Sequence, residues 1–173
     1  KHTINEPVLG IKPMKFMINN RIEDFRIAKW GEEKDYVLDL IKSLKINDVF
    51  LDVGSSVGLI SILAAAKLKD GSVISIEPDP GNIVRLTNNY ELNNTKNYSL
   101  LQMALGERKD SLNLYSVGAN GVSPSLKKVN GLDTCFKVDV DSLDNLISTG
   151  VVNAPTVIKI DVEGAEMMVL SGM

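Results

Sequence analysis

The chain has 173 residues, 44% of them apolar and 24% charged, with a formal net charge of −3. That balance fits one soluble globular domain with a real core, and the lack of a basic stripe argues against a nucleic-acid partner. A single cysteine, Cys135, and a single histidine, His2, rule out an internal disulfide, histidine-based triads and multi-cysteine or multi-histidine metal centres. No metal site is expected, and Cys135 is expected as a small, part-buried apolar residue.

No apolar run is long enough to span a membrane; the longest, over residues 59–66, contains Ser61. No signal peptide is visible, so the expected location is the cytoplasm. The opening on Lys1 rather than Met points to a processed or trimmed start.

Residues 14–27 alternate apolar and polar side chains around Asn19-Asn20 and are expected to form a β-hairpin or two short strands within an N-terminal extension, residues 1–31. The core is expected over residues 32–173. It opens with a helix over 32–45 that sets Tyr36, Val37, Leu40, Ile41 and Leu44 on one stripe. Trp30 and Tyr36 have two readings, closure over a ligand or simple core, and core is the commoner fate of an aromatic at such a junction.

Next, Val49-Phe50-Leu51-Asp52-Val53 reads as a short buried strand ending in a glycine-rich turn. An alanine-rich helix follows over 57–68, a strand over 73–76, a helix carrying Ile83, Leu86 and Tyr90, and a third strand over 98–103. This alternation predicts an α/β fold with a mostly parallel sheet and helices on both faces. Residues 112–115 and 136–140 alternate again and predict an inserted hairpin. In the loop between them, residues 118–125, with Gly121, Ser123 and Ser125, read as a flap over the site or equally as an ordinary surface loop. A short helix over 142–147, a β-branched strand over 156–160 and a helix from Asp161 to about residue 170 complete the chain.

The chemistry concentrates at Asp52-Val53-Gly54-Ser55-Ser56-Val57-Gly58. Gly54 allows a tight turn and close backbone approach to a ligand, Gly58 allows close helix packing, and the helix N-terminus offers amide donors and a positive dipole end. Asp52 stands where a dinucleotide would bring its pyrophosphate, and a carboxylate there repels phosphate. It suits the zwitterionic methionine moiety of S-adenosylmethionine better. A P-loop is excluded, since no Gly-Lys-Ser/Thr follows. Glu77 ends the second strand 19 residues after Gly58, near the spacing at which an acid accepts from ribose hydroxyls, and Pro78 is set to lie against an adenine face. The plainer reading of Glu77-Pro78-Asp79-Pro80 is a strand-to-helix turn capped by Asp79.

These segments resemble the FkbM-type methyltransferases: the glycine loop, Ile76-Glu77-Pro78, the helix end over 88–93, Ser142-Leu143-Asp144, and above all Ile158-Lys159-Ile160-Asp161-Val162-Glu163-Gly164-Ala165-Glu166. The resemblance runs from about residue 31 to the end. It implies a Rossmann-like class I fold and methyl transfer from S-adenosylmethionine, usually to a hydroxyl of a sugar, polyketide or other natural product. It also implies cofactor contacts from Asp52, Gly54, Gly58 and Glu77, with Ser55 and Ser56 in the loop, Pro78 beside it, and Ala104 and Leu105 near the adenine. Ser55-Ser56 stands where the family often has Ala-Asn, which keeps the residues small and polar. The family sheet has seven strands and only four parallel ones are counted here, so the C-terminal strands are missing; a fragment of a longer protein is expected, with strands supplied by a partner chain as the alternative. The open fourth strand leaves an edge that a second copy can pair, which suggests a homodimer.

Asp161 falls at the carboxyl end of a central strand and is the first candidate to orient an acceptor hydroxyl, with Glu163 able to share that task. Helix capping is an equal reading for Asp161 and the favoured one for Glu166. Whether Lys159 pairs with a carboxylate stays open. Two other functions compete: a nicotinamide-dependent dehydrogenase, disfavoured by Asp52 and the lack of Gly-x-Gly-x-x-Gly, and a non-catalytic nucleoside-binding or interaction module.

Overall fold

The computed structural model describes residues 1–116 and 134–173. The chain opens with two short strands, β1 (His2–Ile4) and β2 (Met14–Phe16), paired antiparallel with Ile4 opposite Met14. An N-terminal hairpin is therefore present, but not over residues 14–27. Beyond Asn20 the backbone is helical, as α1 (Arg21–Glu23) running into a π turn over Asp24–Ala28. Asn20 decides this, because its Oδ1 accepts from the amides of Ile22 and Glu23 at 3.0 and 2.8 Å. An asparagine used this way starts a helix instead of turning a hairpin.

From Lys34 the elements follow the expected order: α2 (Lys34–Ser43), β3 (Val49–Val53), α3 (Leu59–Lys67), β4 (Ser72–Ile76), α4 (Pro80–Leu92), β5 (Tyr98–Leu101), the two-residue β6 (Ala104–Leu105), β7 (Asp110–Ser116), β8 (Thr134–Asp141), α5 (Leu143–Ser148), β9 (Val157–Ile160) and α6 (Glu166–Leu170). The central sheet is parallel throughout, in the order β5-β4-β3-β9. Strands β7 and β8 pair antiparallel as the inserted hairpin, and β6 joins β8 in parallel. The segment proposed as a flap, with Gly121, Ser123 and Ser125, lies outside the described residues. Cys135, expected to be part-buried, is exposed on β8, since the strand alternates and its neighbour Val138 takes a buried position.

Two apolar clusters cover the two faces of the sheet. One joins Phe50 and Val73 of the strands to Ile62 and Leu63 of α3, Leu86 and Tyr90 of α4, and Ile4, Met14, Phe16, Ile27 and Trp30 of the N-terminal segment. The other packs Leu51, Ile74 and Ile76 against Leu143, Leu146 and Val169. Tyr90 also stacks on Tyr98, with ring centroids 3.7 Å apart.

Strand β2 is anchored by Asn89 of α4 and by Asn93 at its C-cap. Asn93 accepts from the Lys15 amide at 2.8 Å and donates to the Lys15 carbonyl at 2.7 Å, so one side chain pairs that residue as a neighbouring strand would. Asn89 accepts from the Met17 amide at 2.8 Å and donates to the Val57 carbonyl at 2.9 Å. The final helix starts at Glu166, not at Asp161. Glu163 (φ 44°) and Gly164 (φ 90°) are left-handed and interrupt it, and the Glu166 carboxylate accepts from the Gly164 amide at 3.0 Å. Among the described residues no helix is long and apolar enough to cross a membrane.

Candidate functional site

Strand order fixes where a ligand belongs. From β3 the chain builds outward through β4 to β5, then returns to β9 on the other side of β3, and ligands of open α/β sheets bind at such a switch point, beyond the carboxyl ends of the strands. A cavity of about 310 Å³ opens there. All the cofactor candidates border it, Asp52, Gly54, Ser55, Ser56, Gly58, Glu77, Pro78, Ala104 and Leu105, as do Asp161 and Glu163.

The glycine loop is held from several sides. Gly54 (φ 79°) and Gly58 (φ 91°) are left-handed. A Cβ on Gly54 would lie 2.0 Å from the Asp161 carbonyl oxygen, so the close approach that demands glycine is to the protein's own backbone at the end of β9. A Cβ on Gly58 would meet the Leu86 side chain at 2.2 Å, consistent with helix packing as its reason. The amides of Gly54 and Ser55 both donate to the Ile76 carbonyl, at 3.0 and 3.1 Å. Arg26 Nη1 donates to the Ser56 hydroxyl at 2.8 Å, and the Ser56 amide donates to Glu77 Oε2 at 2.8 Å.

Glu77 is 3% exposed. Its Oε1 accepts from the Asp79 amide at 2.9 Å and from Asn82 Nδ2 at 3.2 Å. Burial pushes its pKa up from the ordinary glutamate value, against these hydrogen bonds, which favour the anion. Oε2, with one amide donor, keeps acceptor capacity for a ligand hydroxyl. Asp79 also caps α4, its side chain accepting from Gly81 and Asn82 amides, so the capping role and an acceptor role for Glu77 coexist on neighbouring residues.

Beneath the loop runs a buried polar chain. Ser75 Oγ donates to Ser61 Oγ at 3.0 Å, and Ser61 donates to Asp52 Oδ2. With its proton committed to Ser61, Ser75 accepts from the Tyr90 hydroxyl at 2.7 Å. The chain thus points its protons at Asp52, an arrangement in which each bond polarises the next. On the other side, Lys159 Nζ lies 3.0 Å from Asp52 Oδ1. That contact has ion-pair distance without hydrogen-bond alignment. Lys159 also donates to the Gly54 carbonyl at 3.1 Å and stands 3.6 Å from Asp161 Oδ2. Burial would lower the Lys159 pKa, but the Asp52 and Asp161 carboxylates outweigh it and hold the ammonium above its ordinary value.

Asp161 and Glu163 both face outward at the mouth, Asp161 with its side chain 65% exposed. Trp30 is buried and forms part of the wall, whereas Tyr36 is 55% exposed and does not border the cavity. Sequence reasoning passed over Arg26 and Asn82 and left Lys159 undecided. Arg26 lay in a stretch read as strand, and only the β3–β9 register, which sets Asp52 opposite Lys159, identifies their pairing. Among the described residues no group of three His, Cys, Asp or Glu side chains converges as a metal site.

The chain is 29% identical over 164 residues to the hexuronic acid methyltransferase AglP of Haloferax volcanii, covering 92% of this chain and 64% of that protein. The chain therefore spans 64% of the relative's length. Among solved structures it is similar to the precorrin-6y C5,15-methyltransferase of Geobacter metallireducens, at 20% identity and TM-score 0.42, covering 50% of this chain and 43% of that one. It is also similar to TYW2 of M. jannaschii in complex with AdoMet, at 20% identity and TM-score 0.39, covering 57% and 41%. Residues 52–173 match the methyltransferase FkbM domain, and the chain belongs to that family.

Proposed function

We propose that this protein is an S-adenosylmethionine-dependent methyltransferase that O-methylates a sugar acceptor of the hexuronic-acid type. The observation that carries the cofactor is the charge of the cavity. Five carboxyl groups, Glu33, Asp52, Glu77, Asp161 and Glu163, border it against two cations, Arg26 and Lys159. An acidic cavity suits a ligand bearing a sulfonium and an ammonium and disfavours a diphosphate, which weighs against a nicotinamide dinucleotide. The acceptor class is taken from AglP, whose name specifies a hexuronic acid.

In this reading Glu77 accepts from the ribose hydroxyls, Pro78, Ala104 and Leu105 line the adenine end, and Gly54, Ser55, Ser56 and Gly58 form the loop wall of the cavity, with the Ser56 hydroxyl as the donor left for a ligand. The bound cofactor supplies an activated methyl group with a neutral thioether as leaving group. The protein's remaining task is to hold the acceptor oxygen in line. Glu163 is exposed, has no charged partner among the described residues, and is the carboxylate we assign to the acceptor proton. Asp161 lies beside it and is already engaged by Lys159, 3.6 Å from its Oδ2.

Calorimetry with S-adenosylhomocysteine and NAD tests the cofactor. Binding of the first alone is expected, and binding of NAD alone would overturn the reading. Transfer of radiolabelled methyl to glucuronate- or galacturonate-bearing glycosides tests the acceptor class, with neutral glycosides as the contrast. Equal labelling of both sets removes the acid as the recognised feature.

A further inference from the structure

The Lys159–Asp52 pair changes which carboxylate a ligand meets. Strands β3 and β9 set the two residues opposite each other. Asp52 is 1% exposed, with Oδ2 engaged by Ser61 and Oδ1 by Lys159. A ligand ammonium reaching Asp52 would have to displace Lys159, and so strand a buried charge. Asp52 Oδ1, the Gly54 carbonyl and Asp161 Oδ2 surround Lys159 Nζ at 3.0, 3.1 and 3.6 Å. These are the acceptors an ammonium calls for, and the protein fills the position with its own lysine. Of the three, Asp161 alone carries a charge that is open to solvent. Two carboxylates and one ammonium leave one negative charge, and its exposed end is Asp161 at the cavity mouth.

We propose that Lys159 is a positioning residue for the cofactor: it neutralises Asp52, ties the Gly54 carbonyl to the end of β9, and presents Asp161 as the carboxylate that meets the ammonium of the methionine moiety. This rests on the S-adenosylmethionine reading above. The Asp52 role inferred from sequence then passes to Asp161 through Lys159, and Asp52 becomes the buried anchor of the arrangement.

The test uses two ligands that differ in the part recognised. S-adenosylhomocysteine carries the ammonium and carboxylate, whereas 5′-methylthioadenosine keeps the nucleoside and sulfur without them. Asp161→Asn alters an exposed side chain and leaves the buried pair intact. The double variant Lys159→Met with Asp52→Asn removes both buried charges together, so that neither is left uncompensated.

Calorimetry is expected to show each variant binding S-adenosylhomocysteine about tenfold or more weakly than wild type, as loss of a charged contact requires. Methylthioadenosine affinity is expected to stay within about twofold, a selectivity that a general loosening of the loop does not give. Parallel weakening of both ligands, or unchanged S-adenosylhomocysteine affinity in Asp161→Asn, overturns the proposal. Full affinity in the double variant removes Lys159 from it. A wild-type protein that binds neither ligand overturns the reading of the cavity itself, and the proposal with it.

Discussion

Glu77 is buried against the glycine loop, and its raised pKa has two opposite consequences. For folding, a carboxyl whose native pKa is raised contributes fully below its unfolded value, and the contribution is lost as pH rises through the native value. For binding, the ribose hydroxyls need the anion as acceptor, so S-adenosylhomocysteine affinity should fall as pH drops through that raised value, earlier than an exposed glutamate would allow. Glu77→Gln should weaken binding by about tenfold to a hundredfold at neutral pH and flatten the acid side of the profile, which calorimetry across pH would reveal. The two loop glycines should separate in the same way. Gly54→Ala drives a Cβ into the Asp161 carbonyl oxygen at 2.0 Å at a left-handed φ, and neither strand end can yield. Gly58→Ala meets only side-chain ends, Leu86 Cδ1 at 2.2 Å and Ile62 Cδ1 at 3.2 Å, which can rotate. Thermal melts should therefore rank Gly54→Ala well below Gly58→Ala, although the left-handed backbone costs each about 1–2 kcal/mol.

At the scale of elements, the N-terminal segment reaches the site through α4. Asn93 satisfies both backbone groups of Lys15, and Asn89 links the residue after β2 to the glycine loop through Val57. Asn93→Ala removes two hydrogen bonds to the part-buried backbone of Lys15 and should cost about 2 kcal/mol, read as a fall in Tm of about 4–8 °C. Asn89→Ala should also weaken S-adenosylhomocysteine binding, since it releases the loop carbonyl. These asparagines lay within the helix end that carried the family resemblance, yet sequence could not say what they hold, because their partners lie 72 and 78 residues away. The hairpin misplaced over 14–27 has a related cause. Alternation and Asn19-Asn20 suit a turn and a helix cap alike, and only the hydrogen bonds from Asn20 choose between them. Likewise Asp161 has the composition of a helix start, but the left-handed Glu163 and Gly164 delay the helix to Glu166.

For the molecule as a whole, a ligand that binds only the folded chain raises its stability by mass action. S-adenosylhomocysteine at a hundredfold excess over Kd should add about 2.7 kcal/mol, or about 5–10 °C in Tm; no shift with this ligand and a shift with NAD would reverse the cofactor assignment. The α/β layering was legible because strand runs and helix stripes differ in period, and the cavity lining was legible because the glycine loop and Glu77 keep fixed positions after their strands. The ionic core of the site was not, since Asp52 and Lys159 are 107 residues apart in sequence and meet only across β3 and β9. That pairing also acts as a proofreading device for assembly of the sheet. If β9 docked one residue out of step, Ile158 or Ile160 would stand beside Asp52, and a carboxylate sealed from water would face a hydrocarbon side chain. Misaligned insertion is thereby penalised far more than the loss of a few apolar contacts, so the charges that shape the cofactor site also keep the last strand from closing on the wrong neighbour.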